Sequence, residues 1–235
     1  MRRIDTYFWF RGEPGDSLTP LLPKVWRDDH NENTLNQLFR MRAPAVSTTP
    51  YPDRGNTDQW LFLAQHVGLP TRLLDWTESA LAGLYFALLT DDPVVWVLGP
   101  RELNQLSPPH TADFPLTWAD PDDPKAAGNI ALAWAQDRSE PNAHAVTLPV
   151  AVLPTNIHTR MSAQRSCFTI HGTSHDSLLT QLDKNEPSPL VARIRLPSNA
   201  AQRRSMLEHL RFLGVSGTTM FPDLQGLAQE LAAIQ

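Results

Sequence analysis

The stretch from Asn56 to Leu88 constrains the fold more than any other part of the chain, because it is punctuated at both ends of each element. Asn56 is placed to cap a helix, and Gln59 three residues later completes a capping box. Trp60, Leu63, Ala64 and Val67 then recur at helical spacing. Gly68 supplies a stop and Pro70 forbids continuation. A second helix is predicted to begin near Thr77, capped by Asp75 (with Glu78 three residues on) or by Thr77 itself. Its apolar stripe is Ala80, Leu81, Leu84, Tyr85 and Leu88. It ends at Asp91-Asp92-Pro93, after which Val94 to Leu98 reads as a buried strand closed by Gly99-Pro100.

The rest of the chain is less sharply marked. Tyr7-Phe8-Trp9-Phe10 reads as a strand ending in a turn at Arg11-Gly12. Asn33 to Met41 is weakly helical, with Leu35, Leu38 and Phe39 on one face, and residues 43–56 form a proline-rich polar loop. Residues 101–128 carry little regular pattern, and Ile130 to Gln136 suggests a short helix. Val146 to Leu153 resembles a strand in which Pro149 marks an edge or a break. Leu190 to Leu196 alternates apolar and basic residues, as a half-exposed strand does. Asn199 to Leu213 is predicted helical with Met206, Leu207, Leu210 and Leu213 inward, ending at Gly214. Asp223 is placed to cap a last helix carrying Leu224, Leu227, Ala228 and Leu231. Strands and helices mix without strict alternation. The expected class is α+β: one compact domain over residues 1–235, with a mixed or antiparallel sheet and packed helices.

Composition removes several functions. A 41% hydrophobic chain of 235 residues is not disordered, and no apolar run is long enough for a membrane span. The first residues lack the apolar core of a signal peptide. A net charge of -5 disfavours a protein that works by coating nucleic-acid backbone. Cys167 is the only cysteine, which excludes an internal disulfide and disfavours a thiolate zinc site. It suits a cytoplasmic setting and reads as a small buried residue. No Rossmann or Walker glycine loop, nucleophile elbow or zincin helix is present, and no metal is expected.

What remains is an unusual density of polar groups. Gln65, His66, Arg72, Asp75, Trp76, Thr77 and Glu78 crowd the junction between two apolar segments. Each has an ordinary structural role open to it. Thr77 and Asp75 can cap a helix, Arg72 can pair with Asp75, His66 can oppose a helix dipole, Gln65 can bond nearby backbone, and Tyr85 and Phe86 can be core. A purely structural turn rarely needs so many, and groups held by packing on both sides can be preorganised for a ligand.

These residues carry a resemblance. The stretch Gln65-His66-Val67-Gly68-Leu69-Pro70-Thr71-Arg72-Leu73-Leu74-Asp75-Trp76-Thr77, followed by Leu84-Tyr85-Phe86-Ala87, resembles the signature of FRG-domain proteins. Phe8-Trp9-Phe10-Arg11-Gly12 resembles the motif that names the family. Arg160-x-x-x-Gln164 with Phe168-Thr169, and Phe221-Pro222-Asp223-Leu224 with Gly226-Leu227-Ala228, extend the likeness over most of the chain. Departures are Ala80 where the family has Pro, Gly83 for an alanine, and Ser166 for a glycine.

The layout is also similar, by analogy, to that of ADP-ribosyltransferases, which implies NAD as substrate. On that analogy Arg11 grips pyrophosphate and Gly12 allows close backbone approach. Gln65, Arg72, Thr77 and Ser79 hold the nucleotide with His66 near the nicotinamide. The third motif of such enzymes supplies a Glu, but here its place is taken by Gln164, so Asp75 or Glu78 is expected to provide the catalytic charge. Two alternatives stand beside this NAD-acting enzyme. One is a non-catalytic module for a nucleotide or phosphorylated ligand. The other is a nucleic-acid-acting effector using the basic stripe Arg203, Arg204 and Arg211, although that stripe also reads as a solvated helix face.

Overall fold

The computed structural model describes residues 7–28, 30–46, 51–53, 55–106, 116–117, 148–154, 158–172, 174–184 and 190–232. The elements in chain order are β1 (Trp9–Pro14), α1 (Lys24–Arg27), α2 (Glu32–Val46), α3 (Thr57–His66), β2 (Leu73–Thr77), α4 (Ala80–Leu88), β3 (Pro93–Leu98), α5 (Pro100–Leu106), β4 (Leu116–Thr117), β5 (Val150–Leu153), α6 (Thr159–Ala163), β6 (Ser166–Ile170), α7 (Leu178–Lys184), β7 (Val191–Arg195), α8 (Ala200–Phe212), α9 (Gly217–Met220) and α10 (Leu224–Ala232).

The seven strands among the described residues join one sheet in the order β4-β5-β6-β2-β1-β3-β7. Six of them run antiparallel to their neighbours, and β4 adds parallel to β5 at the edge. Because side chains alternate along a strand, each strand serves two layers. One face buries Trp9, Leu74, Trp76, Val94, Trp96, Leu98 and Cys167 against Leu103 of α5 and Leu178 and Leu182 of α7. On the other face α4 lies along β1, and Phe62 of α3 meets Phe168 of β6 with ring centroids 5.2 Å apart. Tyr85 and Leu88 of α4 pack in turn on Leu210 of α8 and Met220 of α9. The expected α+β class with an antiparallel or mixed sheet is the observed one.

The punctuation of the central segment is realised at α3. Asn56 accepts a hydrogen bond from the Gln59 amide at 3.2 Å, and Gly68 takes the left-handed φ of +88° that ends the helix. The second helix departs from expectation. Residues Leu73 to Thr77 are strand, paired along their whole length with Ile170 to Ser166 of β6. The ladder to β6 and the burial of Leu74 and Trp76 outweigh local helix propensity there. The helix therefore starts at Ala80, capped by Ser79, whose Oγ accepts from the Ala82 amide at 3.3 Å. Leu81 is exposed, and Ala82, Gly83 and Ala87 are buried in its place.

The two glycines explain how α4 settles on β1. A Cβ on Gly12 would lie 2.1 Å from the Ala87 nitrogen and 2.5 Å from the Gly83 oxygen, and a Cβ on Gly83 would lie 2.7 Å from that of Phe10. Glycine at both positions lets helix and strand backbones touch, which offsets the helix cost of Gly83. The space above Gly12 thus belongs to α4.

Other boundaries shift for local reasons. β1 does not end at Arg11-Gly12, because Arg11, Gly12 and Glu13 continue the ladder onto Trp96, Val95 and Val94. α2 runs on to Val46 with Pro44 inside it, and α5 occupies the start of the region expected to be irregular. β5 begins just after Pro149, which fits the expected break. α8 forms within the expected span, with Asn199 capping it, but Leu213, expected inward, is exposed. Asp223 Oδ1 accepts the Gly226 amide at 2.8 Å at the start of α10, yet Leu224, Leu227 and Leu231 face solvent. The helix expected at Ile130 to Gln136 lies outside the described residues. Cys167 is fully buried on β6, and burial pushes its thiol pKa up.

Candidate functional site

The site arises where the sheet is least complete. β1 and β2 pair only at Phe10↔Thr77, whereas β2 pairs with β6 over five residues. Beyond that pair the Arg11 guanidinium reaches across, and its Nη1 donates to the Asp75 carbonyl at 2.8 Å. A side chain thereby satisfies a backbone acceptor of β2. The same guanidinium meets Glu13 Oε1 at 3.3 Å and lies 3.8 Å from Asp75 Oδ2. Glu13 is buried and also binds Arg27 at 3.2 Å and the Leu21 amide at 3.2 Å. Arg11 is therefore fastened at both Nη groups, while its Nε is buried without a hydrogen-bond partner.

A cavity of about 350 Å³ opens at this point, lined by Phe10, Arg11, Gly12, Gln65, His66, Asp75, Trp76, Thr77, Phe86, Arg160, Met161, Gln164, Ser166, Phe168 and Phe221. Seven of the ten residues singled out from the sequence, Arg11, Gly12, Gln65, His66, Asp75, Thr77 and Gln164, share this lining. Two stretches far apart in the chain thus converge on one concavity of ligand-binding size.

The polar lining is cross-braced. Gln65 Nε2 donates to Asp75 Oδ2 at 2.8 Å, and Gln65 Oε1 accepts from Thr71 Oγ1, so the amide is oriented from behind. Thr77 Oγ1 donates to the Gln164 carbonyl at 2.7 Å and accepts from the Ser79 amide at 3.0 Å. Gln164 Nε2 donates to the Met220 carbonyl at 3.0 Å, which ties the loop before β6 to α9. The Asp75 side chain is 58% exposed, and it is the one carboxylate among the lining residues.

Three expected residues lie elsewhere. Arg72 turns away from the cavity and is clasped by Glu32: Nε donates to Oε2 at 2.8 Å, Nη2 lies 2.6 Å from Oε2, and the Arg72 amide donates to Oε1 at 3.0 Å. Nη1 reaches the His171 carbonyl at 3.4 Å. Arg72 therefore pairs across the fold with α2 rather than with Asp75. Glu78 follows the end of β2 and turns towards Arg165 at 3.7 Å. Ser79 is spent on the α4 cap.

Residues not singled out as site residues supply much of the remaining wall. Phe10, Phe86, Phe168 and Phe221 make it aromatic, and Arg160 brings a second guanidinium. Arg160 Nη2 donates to Asp223 Oδ2 at 2.6 Å, its Cζ lies 4.8 Å over the Phe221 ring, and its Nε is buried without a partner. Arg160, Phe168 and Phe221 all fall inside stretches that carry the resemblance, which was the signal available for them. His158 had none. It stacks on His66 with centroids 4.0 Å apart. Burial, and then the neighbouring His158 and Arg160, lower the His66 pKa to about 4, so the imidazole is neutral at pH 7 and acts as a hydrogen-bonding group. Among the described residues no group of three His, Cys, Asp or Glu side chains is arranged to hold a metal, and no helix is long and apolar enough to cross a membrane. Arg203 and Arg211 of the basic stripe meet Asp91 at 2.6 Å and Glu230 at 3.9 Å.

Residues 6–94 match the family model of the FRG domain. This stretch is similar to the FRG domain. It contributes Arg11, Gln65, His66, Asp75 and Thr77 to the cavity, but its β2 strand is completed by β6, and Arg160, Met161, Gln164, Ser166, Phe168 and Phe221 close the wall from outside the matched segment. No curated protein and no solved structure matches the chain.

Proposed function

We propose that this cavity binds NAD and that the chain breaks the nicotinamide–ribose bond, either transferring the ADP-ribose or hydrolysing the cofactor. The observation that supports this most is the meeting of Arg11, His66, Asp75, Thr77 and Gln164 on one aromatic-walled cavity. Aromatic walls suit a base or the nicotinamide ring, and guanidinium groups suit the anionic pyrophosphate. As the glycosidic bond lengthens, positive charge builds on the ribose. The Asp75 carboxylate, held by Gln65 on β2's cavity side, stabilises that charge. Neutral His66 accepts or donates a hydrogen bond to the carboxamide or ribose, and Thr77 and Gln164 fix the neighbouring backbone.

Incubating pure chain with NAD and following nicotinamide release tests this reading. Release is expected, with Asp75→Asn slowing it by about 100-fold, the scale of removing one preorganised electrostatic group. No release, with or without candidate acceptors, overturns the reading.

A second reading follows from the state of Asp75, which is more than half exposed and already bound by Gln65 and near Arg11. An exposed carboxylate is screened and stabilises a cation weakly. A non-catalytic nucleotide module therefore needs the same Arg and His residues but not this charge. Nucleotide binding that survives Asp75→Asn and Glu78→Gln, but is lost in Arg11→Ala, distinguishes it.

A further inference from the structure

We infer that Arg160 is an anion-binding residue of this cavity and that the ligand carries a diphosphate rather than being a nucleoside; the inference rests on the reading of the cavity as a nucleotide site. The arginines around it differ in what holds them. Arg72 and Glu32 are 7% and 9% exposed, so separating them would strand a buried charge. Arg11 is tied to buried Glu13 and to the Asp75 backbone. Arg160 and Asp223 are 26% and 42% exposed, and a pair so exposed is worth little in water. Arg160 alone among these three can trade its carboxylate for a ligand phosphate at small cost.

The surroundings allow the exchange. Asp223 Oδ1 keeps the Gly226 amide at 2.8 Å whether or not Arg160 stays on Oδ2. The guanidinium carbon lies 4.8 Å over the Phe221 ring, and both residues line the cavity wall. Its Nε is buried with no hydrogen-bond partner, as is that of Arg11, and both residues line the cavity. The lining carries two guanidiniums against the single carboxylate of Asp75. A diphosphate held at Arg160 balances that charge; an uncharged nucleoside does not.

Calorimetric titration of the full chain with ADP-ribose and with adenosine tests the inference. Arg160→Gln is expected to weaken ADP-ribose binding by about 10- to 100-fold and to leave adenosine binding within about twofold. Asp223→Asn keeps the cap acceptor but removes the competing charge, and is expected to tighten ADP-ribose binding by about two- to fivefold. A purely structural Arg160–Asp223 clasp gives the opposite sign for Asp223→Asn. The inference is overturned if the wild-type chain does not bind ADP-ribose, if Arg160→Gln binds it normally, if both ligands weaken equally, or if Asp223→Asn weakens binding. Arg160-dependent ADP-ribose binding without nicotinamide release refutes the catalytic reading and leaves the inference standing; release with ADP-ribose binding that ignores Arg160 does the reverse.

Discussion

Glu32→Ala separates a structural role for Arg72 from a ligand-binding one. Arg72 is 7% exposed and Glu32 9% exposed, and three contacts of 2.6 to 3.0 Å join them. Deleting Glu32 leaves a guanidinium in a site from which water is nearly excluded. Its remaining contacts include the distant carbonyls of His171 and Gly172 at 3.4 and 3.5 Å. Breaking a buried pair from one side costs about 3–5 kcal/mol. For a chain of this size each kcal/mol moves the melting temperature by about 2–4 °C, so a fall of roughly 6–20 °C is expected. The assay is thermal and urea unfolding of wild type, Glu32→Ala, Arg72→Met and the double variant. The double variant is expected to recover part of the loss, because replacing both charges removes the stranded one. Nucleotide affinity of the folded protein, measured well below the melting temperature, should change less than about threefold in all of them. A Glu32→Ala protein that melts like wild type, or an Arg72→Met protein that stays folded and loses nucleotide binding outright, refutes this placement of Arg72.

Gly12→Ala puts a methyl carbon 2.1 Å from the Ala87 nitrogen, and since the obstacle is helix backbone rather than a movable side chain, a loss above about 3 kcal/mol in urea unfolding is expected, where a tolerated variant would contradict the contact of α4 with β1. His171 is fully buried and its pKa falls to about 3 through burial first and the nearby Arg72 and Arg11 second, so the unfolded chain binds a proton that the native one refuses. Stability conferred above pH 6.5 is then lost as pH falls towards 3, at about 1.4 kcal/mol per pH unit within that window, with half-buried His66 adding less. A folded His171→Gln variant should show a shallower slope between pH 6 and 5, and an unchanged slope would contradict this. Cys167, buried with its thiol pKa raised, should resist thiol reagents in the native protein and react on unfolding; rapid native labelling would refute that burial.

Much of the frame was legible because short-range chemistry decides it. Asn56, Gly68, Asn199 and Gly214 act where their types place them, as caps and left-handed stops. Long-range pairing was not legible. Whether Arg72 meets Asp75 three residues away or Glu32 forty residues away depends on the first residue of α2 lying beside Arg72, which no local pattern encodes. Gly83 shows the same limit. As a helix residue it reads as a weakness, and only the closeness of Phe10, whose Cβ would lie 2.7 Å from a Cβ at this position, gives it a purpose.

The division of labour within the candidate site follows from one change of period. On a helix starting near Thr77, Asp75 and Glu78 lie three apart on one side and are interchangeable as a carboxylate source. On a strand the period is two. Asp75 and Thr77 then share the cavity side with Phe10 and Phe168, while Leu74 and Trp76 pack into the opposite core. Glu78 falls beyond the ladder, where its amide bonds the Arg165 carbonyl at 3.1 Å and its carboxylate follows towards Arg165. The polar density between Gln65 and Ser79 is therefore two interleaved sets. Gln65, His66, Asp75 and Thr77 border the cavity, and Thr71, Arg72, Glu78 and Ser79 hold β2 and α4 in place around it. That separation makes Asp75→Asn and Glu78→Gln a matched pair: both remove one acidic charge within three residues, and only the first removes it from the cavity wall.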